Sequence, residues 1–208
     1  MPAPDLAPYL VPSQCAIVNM ECQENLLGSR PVIPALAQAA ADVGLVDNLA
    51  RLFDAARALG VRIYYCTDDR RPDGLGLADN LPIRGKMIGL YENLGGHGPV
   101  VEPIAPQAAD VVFHREQGVT GFFATGLDQY LRNTNVRTVI ITGISLNLAV
   151  LGTTIEAANR GYIVVVPTDC VAGVPAEYVD AAMRHTIRNI GYTASSQVIL
   201  DHWAKTYE

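Results

Sequence analysis

Glu21, Arg115 and four separated cysteines are the groups through which this 208-residue chain could do chemistry. A carboxylate can take or deliver a proton, a guanidinium can fix an anion, and a thiolate can attack a carbonyl. Glu21 stands in Ile17-Val18-Asn19-Met20-Glu21-Cys22-Gln23, and Arg115 follows Val111-Val112-Phe113-His114. Each closes an apolar run. Cys66, Thr67 and Asp68 close another, Ile144 to Asn147 a fourth, and Asp169 and Cys170 a fifth.

Most of these residues also have a plainer reading. Cys22 directly follows Glu21, so strand alternation turns it to the opposite side. Cys66 is suitably located, but small buried cysteines are common in apolar strands, and packing is the stronger reading for it and for Cys170. Ser145 and Thr120 are hydroxyls with no histidine in evident reach. His114 should face away from Arg115 as a structural histidine, and His97 in Gly95-Gly96-His97-Gly98 is a weaker candidate for a substrate contact. Thr67-Asp68-Asp69-Arg70-Arg71 sets acids beside arginines and reads as a solvated, self-neutralising loop. No metal and no cofactor is expected.

The elements that must position these groups follow from the apolar pattern. Strands are expected at Ala16–Val18, Val61–Tyr65, Val111–Phe113, Val139–Ile141 and Ile163–Val166, with a weaker sixth at Tyr192–Ala194. The runs at 139–141 and 163–166 are apolar throughout, as strands covered on both faces must be. Between them, Leu45, Leu49, Leu52, Phe53, Ala56 and Leu59 recur at helical spacing before Gly60. Leu127, Tyr130 and Leu131 mark a short helix, and Asn147 to Asn159 a longer one ended by Gly161. Pro175 fits the first position of a helix whose buried stripe is Val179, Ala182, Met183, Thr186 and Ile190. This alternation predicts an α/β fold, a three-layer α-β-α Rossmann-like arrangement around a six-stranded, mainly parallel sheet. Ligands in such sheets bind beyond the carboxyl ends of the strands, where Glu21 and Arg115 fall.

One domain over residues 1–208 is expected, with a tail at 1–13 and a long Gly/Pro-rich loop at 69–106 that carries Arg70, Arg71, Arg84 and Lys86. A loop of that length reads as a lid or a subunit contact. Half the residues are apolar, 17% are charged and the net charge is −6, which argues against disorder and against a nucleic-acid surface. No apolar run is long enough to span a bilayer and no secretory pattern opens the chain, so no membrane partner is expected and a cytoplasmic location is. The cysteines, without a CxxC pair, read as reduced thiols.

Three segments carry a resemblance to the isochorismatase-like cysteine hydrolases. That family has Asp-x-Gln after its first strand, a Lys opening a K-x-x-G-x-S-x-F stretch after its third, and T-G-x-x-T-N-x-C-V after its fourth. Here the matching segments are Glu21-Cys22-Gln23; Arg115-Glu116-Gln117-Gly118-Val119-Thr120-Gly121-Phe122; and Thr142-Gly143-Ile144-Ser145-Leu146-Asn147-Leu148-Ala149-Val150. The resemblance covers nearly the whole chain. The family's base, helper lysine and nucleophilic cysteine correspond to Glu21, Arg115 and Ala149. Ala149 has no heteroatom and cannot be a nucleophile. A bidentate Glu21–Arg115 pair is expected.

The resemblance implies a hydrolase acting on a small, anionic molecule by non-covalent acid/base chemistry, as isochorismatases proper do on a vinyl ether. Glu21 and Arg115 would be catalytic, with Gln23, Phe122, Ile144, Ser145 and Asn147 binding substrate. It also implies a homo-oligomer, dimer or tetramer, and a cis Ile144–Ser145 bond. Two further readings stand beside it: an inactive pseudoenzyme that only binds a small molecule, and an assembly subunit.

Overall fold

In the computed structural model, which describes residues 5–69, 71, 73, 75, 76, 80–83 and 98–205, six strands form one sheet. They are β1 (Cys15–Met20), β2 (Arg62–Asp68), β3 (Val111–Arg115), β4 (Thr138–Gly143), β5 (Ile163–Pro167) and β6 (Tyr192–Ala194). Their order across the sheet is β3-β2-β1-β4-β5-β6, and every neighbouring pair is parallel. All six residues of β1 and all six of β4 are buried, which is why both strands had to be apolar on both faces. The order reverses between β1 and β4, and that is where a crevice opens in folds of this kind.

The α-helices of four or more described residues are α1 (Glu24–Leu27), α2 (Pro34–Asp42), α3 (Leu45–Ala58), α4 (Leu127–Asn133), α5 (Leu151–Asn159), α6 (Ala176–Ala182) and α7 (Ser196–Lys205). Leu36 and Ala40 of α2, the buried stripe of α3, and Ile199 and Trp203 of α7 cover one face of the sheet. Leu127 and Leu131 of α4, Ala157 of α5 and Ala182 of α6 cover the other. The expected three layers are present. The expected α3 stripe is buried at Leu45, Leu49, Leu52, Phe53 and Ala56, and Gly60 follows the helix at φ 71°.

Several elements differ from the sequence expectation. The helix expected at 147–159 opens with a wide turn, Leu146–Val150, before α5. A second wide turn, Met183–Ile187, continues α6 and adds a residue to the spacing. The stripe slips accordingly: Ile187 is buried and Thr186 exposed. Pro175 caps α6 instead of opening it, after a cis Val174–Pro175 bond. The described part of the expected tail at 1–13 packs on the domain. Leu6 and Leu10 are buried, and Trp203 Nε1 donates to the Leu10 carbonyl at 2.9 Å.

Of the loop at 69–106, the described end forms a turn at Glu102–Ile104 that buries Ile104. Arg70, Arg84, Lys86 and His97 lie outside the described residues. No helix among the described residues is long and apolar enough to cross a membrane.

Candidate active site

β1 ends at Met20, and the next two residues turn away with left-handed backbones, Glu21 at φ 60° and Cys22 at φ 56°. That conformation costs a residue with a Cβ roughly 1–2 kcal/mol. The Glu21 N–H donates to the Cys66 carbonyl at 3.0 Å, so Glu21 stays attached to the seam between β1 and β2. The turn is what removes its side chain from the strand's alternation. Cys22 is carried into the apolar layer opposite the one that holds Met20, so it does lie away from Glu21 as expected, but through the turn and not through strand alternation.

β3 supplies Arg115 as its last residue, in register with Asp68 at the end of β2. Arg115 is 3% exposed, and its Nη2 donates to Glu21 Oε1 at 2.7 Å. Burial by itself would lower the proton affinity of the guanidinium. The Glu21 and Asp68 carboxylates outweigh it and hold the arginine above its ordinary value. The expected two-armed pairing is not the geometry found. Glu21 meets the Nη2 corner, while Nε is buried with no hydrogen-bond partner among the described residues.

Of the arginines expected to neutralise Asp68 and Asp69, Arg71 pairs with Asp73, and Arg70 lies outside the described residues. Asp68 flanks Arg115, and Asp69 Oδ2 lies 2.6 Å from His114 Nδ1 and accepts from Thr67 Oγ1 at 2.7 Å. His114 does face away from Arg115, but as an exposed surface group. Sequence reading placed Asp68 at a strand end, but only the strand register sets it opposite Arg115.

The third wall comes from β4. Gly143 has φ 99°, and a Cβ there would lie 2.2 Å from the Met20 carbonyl oxygen, so β4 can approach β1 only through a glycine. The Ile144–Ser145 bond is cis, as the family resemblance implied. The Ile144 N–H donates to the Met20 carbonyl at 3.0 Å and the Leu146 N–H to the Ala172 carbonyl at 2.8 Å. The N–H groups of Ser145 and Asn147, between and after these, have no backbone acceptor among the described residues. Ala149 is 3% exposed and packs on the sheet face that also holds Met20, Cys66 and Phe122.

The thiols stay in the core. Cys66 is fully buried, and a Cβ on Gly121 would come within 3.0 Å of its sulfur. Burial pushes this thiol up to about 12, an effect that Arg115 opposes and Glu21 reinforces, so it is protonated at neutral pH. Burial likewise raises Cys22 and Cys170. Among the described residues no group of three or more His, Cys, Asp or Glu is arranged to hold a metal.

Of the five residues expected to bind substrate, four have other engagements. Gln23 is fully buried: its Nε2 donates to the carbonyls of Gly98 (2.8 Å) and Asp68 (3.2 Å), and its Oε1 accepts from the Asp68 N–H at 2.8 Å. Asn147 makes a similar clamp on the next loop, with Nδ2 2.5 Å from the Val174 carbonyl and Oδ1 3.0 Å from the Val174 N–H. Phe122 is buried between the ring of Tyr162 and the guanidinium of Arg160. Ile144 is fully buried in the core. Ser145 is half-buried. Thr120 is 8% exposed, and its hydroxyl has no partner among the described residues.

A family model described as the isochorismatase domain matches residues 15–198. Ureidoacrylate amidohydrolase RutB of Methylorubrum extorquens is 28% identical over 148 residues, covering 64% of this chain and 59% of that protein. The match therefore spans less than two thirds of that relative. A cysteine hydrolase from Pseudomonas syringae pv. phaseolicola superposes with a TM-score of 0.79 at 22% identity, covering 94% of this chain and 95% of that one. N-carbamoylsarcosine amidase from Thermoplasma acidophilum does so with a TM-score of 0.67 at 22% identity, over 88% and 96%. Those two likenesses speak for the fold. The match over residues 15–198 carries the larger conclusion, that the chain belongs to the isochorismatase family of hydrolases.

Proposed function

We propose that this chain, acting as one domain, hydrolyses a small amide or ureide with Glu21 as general base on water and without a covalent intermediate. The observation that carries the reading is the hydrogen bond from buried Arg115 to Glu21 at 2.7 Å. A carboxylate held beside a guanidinium is ionised, and an ionised carboxylate accepts protons. Water attacks the carbonyl carbon as its proton passes to Glu21. The carbonyl electron pair moves onto oxygen, towards the N–H groups of Ser145 and Asn147. The C–N bond then breaks as Glu21 returns the proton to the leaving nitrogen. Ala149 has nothing with which to form an acyl-enzyme.

The substrate class rests on the names of similar proteins, an amidohydrolase of ureidoacrylate and an amidase of N-carbamoylsarcosine. The same ion pair weighs against protonation of a vinyl ether, because an ionised Glu21 has no proton to give. It also weakens the expectation of an anionic substrate, since the guanidinium that would receive one faces Glu21.

A second reading, a binder that has lost its chemistry, is favoured by the buried methyl of Ala149. A panel of amides, ureides and enol ethers separates the two. Release of ammonia or amine from a ureide, abolished by Glu21→Gln, is the expected result. No turnover anywhere on the panel, together with a rise in melting temperature on adding a small amide, would overturn the hydrolase in favour of the binder.

A further inference from the structure

Gln23 lies two residues beyond Glu21 in a fully buried position, and among the described residues the hydrogen bonds of its side chain run to the backbone of other segments. The carbonyl and N–H of Asp68 hold its amide from the end of β2. The Gly98 carbonyl holds it from the segment that returns from the long loop. Around it the backbone is fastened to the same segment: Gln23 bridges Val100 in antiparallel fashion, the Glu24 N–H donates to Pro99, and the Val101 N–H donates to Cys22. Gln23 therefore joins three pieces of chain immediately behind the left-handed residues Glu21 and Cys22.

A strained turn persists only where its surroundings over-determine it. On one side Glu21 is held by its N–H on the Cys66 carbonyl. On the other side the Val101 N–H holds the Cys22 carbonyl and the Glu24 N–H holds the Pro99 carbonyl, and the Gln23 amide adds a side-chain clamp that ties this segment to the end of β2. Relaxation of that clamp lets Glu21 and Cys22 return towards extended backbone, which rotates the Glu21 side chain off Arg115. We propose that Gln23 is a positioning residue for Glu21: its amide locks the turn that aims the carboxylate at the Arg115 guanidinium. It contacts no reacting atom and acts through the turn.

The consequence is that Gln23 controls how firmly Glu21 is held ionised, and hence its strength as a base. The proposal rests on Glu21 being the working carboxylate, but its test needs no substrate. Carboxyl-carbon NMR of the protein labelled at glutamate gives the titration midpoint of Glu21, assigned by the signal that Glu21→Gln removes. Gln23→Met keeps the volume and deletes the bonds to Asp68 and Gly98. The expected result is an upward move of the Glu21 midpoint by about one pH unit, as its contact with Arg115 loosens. Val139→Ala, a destabilising change in the core opposite Ala16 at the other end of β1, is expected to leave the midpoint in place. A folded Gln23→Met protein with lowered melting temperature and a wild-type midpoint would overturn the proposal and leave Gln23 a merely structural clamp. Should the methionine variant not fold, Gln23→Asn shortens the amide so that it cannot reach both Asp68 and Gly98, adds no charge, and the same two outcomes decide. A shifted midpoint in a protein that turns over nothing leaves the positioning role standing while the hydrolase reading fails. An unshifted midpoint in an active enzyme does the reverse.

Discussion

Asp68 and Arg115 are the last residues of neighbouring parallel strands and stand opposite one another in the ladder. Arg115 consequently has a second carboxylate nearby besides Glu21, and both raise its proton affinity. Neutralising Glu21 therefore leaves the buried cation partly compensated, whereas removing Arg115 takes the guanidinium from two carboxylates at once. Glu21→Gln is expected to abolish turnover and lower stability by about 1–3 kcal/mol. Arg115→Ala is expected to cost more, about 3–5 kcal/mol. Urea unfolding of the two variants beside wild type checks the order, and equal losses would contradict it.

The thiols predict a dependence on alkaline pH. Burial pushes Cys15 and Cys66 up to about 12 from 9.0, so the fold favours their protonated forms. Their contribution is complete below pH 9, where the unfolded thiols are also protonated, and is lost as pH rises towards 12. In that window each such thiol adds a slope of about 1.4 kcal/mol per pH unit. Cys66→Ala should make the loss of stability between pH 9 and 11 shallower by one thiol's share. The check is a series of urea midpoints across that range.

The same burial governs reactivity. All four cysteines are free and buried, so none should be alkylated by iodoacetamide at pH 8 while the protein is folded. Intact-mass measurement with and without denaturant tests this. Rapid single labelling of the native protein at Cys66 would reopen that residue as a nucleophile.

Gly143→Ala addresses the seam between β1 and β4. The added methyl would meet the Met20 carbonyl at 2.2 Å in a backbone of φ 99°. A loss of roughly 3 kcal/mol or more is expected, combining left-handed strain with separation of the strands. Calorimetry gives the answer, and a melting temperature within error of wild type would show that the strands can part at no cost.

Adjacent phenylalanines should behave oppositely. Phe122 is 5% exposed and stacked on Tyr162, while Phe123 is 52% exposed. Phe122→Ala is expected to cost about 3–5 kcal/mol, and Phe123→Ala to be close to neutral. Denaturant melts of both variants decide whether the inner ring is the structural one.

Much of this protein was legible in its sequence. Two of the six strands were readable because a strand covered on both faces is apolar throughout, as Val139–Ile141 and Ile163–Val166 are, and the others by short β-branched or aromatic runs between helical periods. α3 was readable because its leucines recur at helical spacing. α2 was not, since Pro-Ala-Leu-Ala-Gln-Ala-Ala-Ala-Asp buries only Leu36 and Ala40 and shows no stripe. The slipped stripe of α6 was equally hidden, because a wide turn changes the period without marking the composition. Glu21, Arg115 and Ala149 could be picked out by the motifs around them, since local spacing is preserved along the chain. The tasks of Gln23 and Asn147 could not. An amide bonds whichever backbone groups the fold brings to it, and here those lie 45, 75 and 27 residues away. The sequence by itself determined the sheet, its layers and the groups at its carboxyl edge. Tertiary structure alone decided which of those groups face one another, because register and turn geometry, not residue type, set the distance between a carboxylate and its cation.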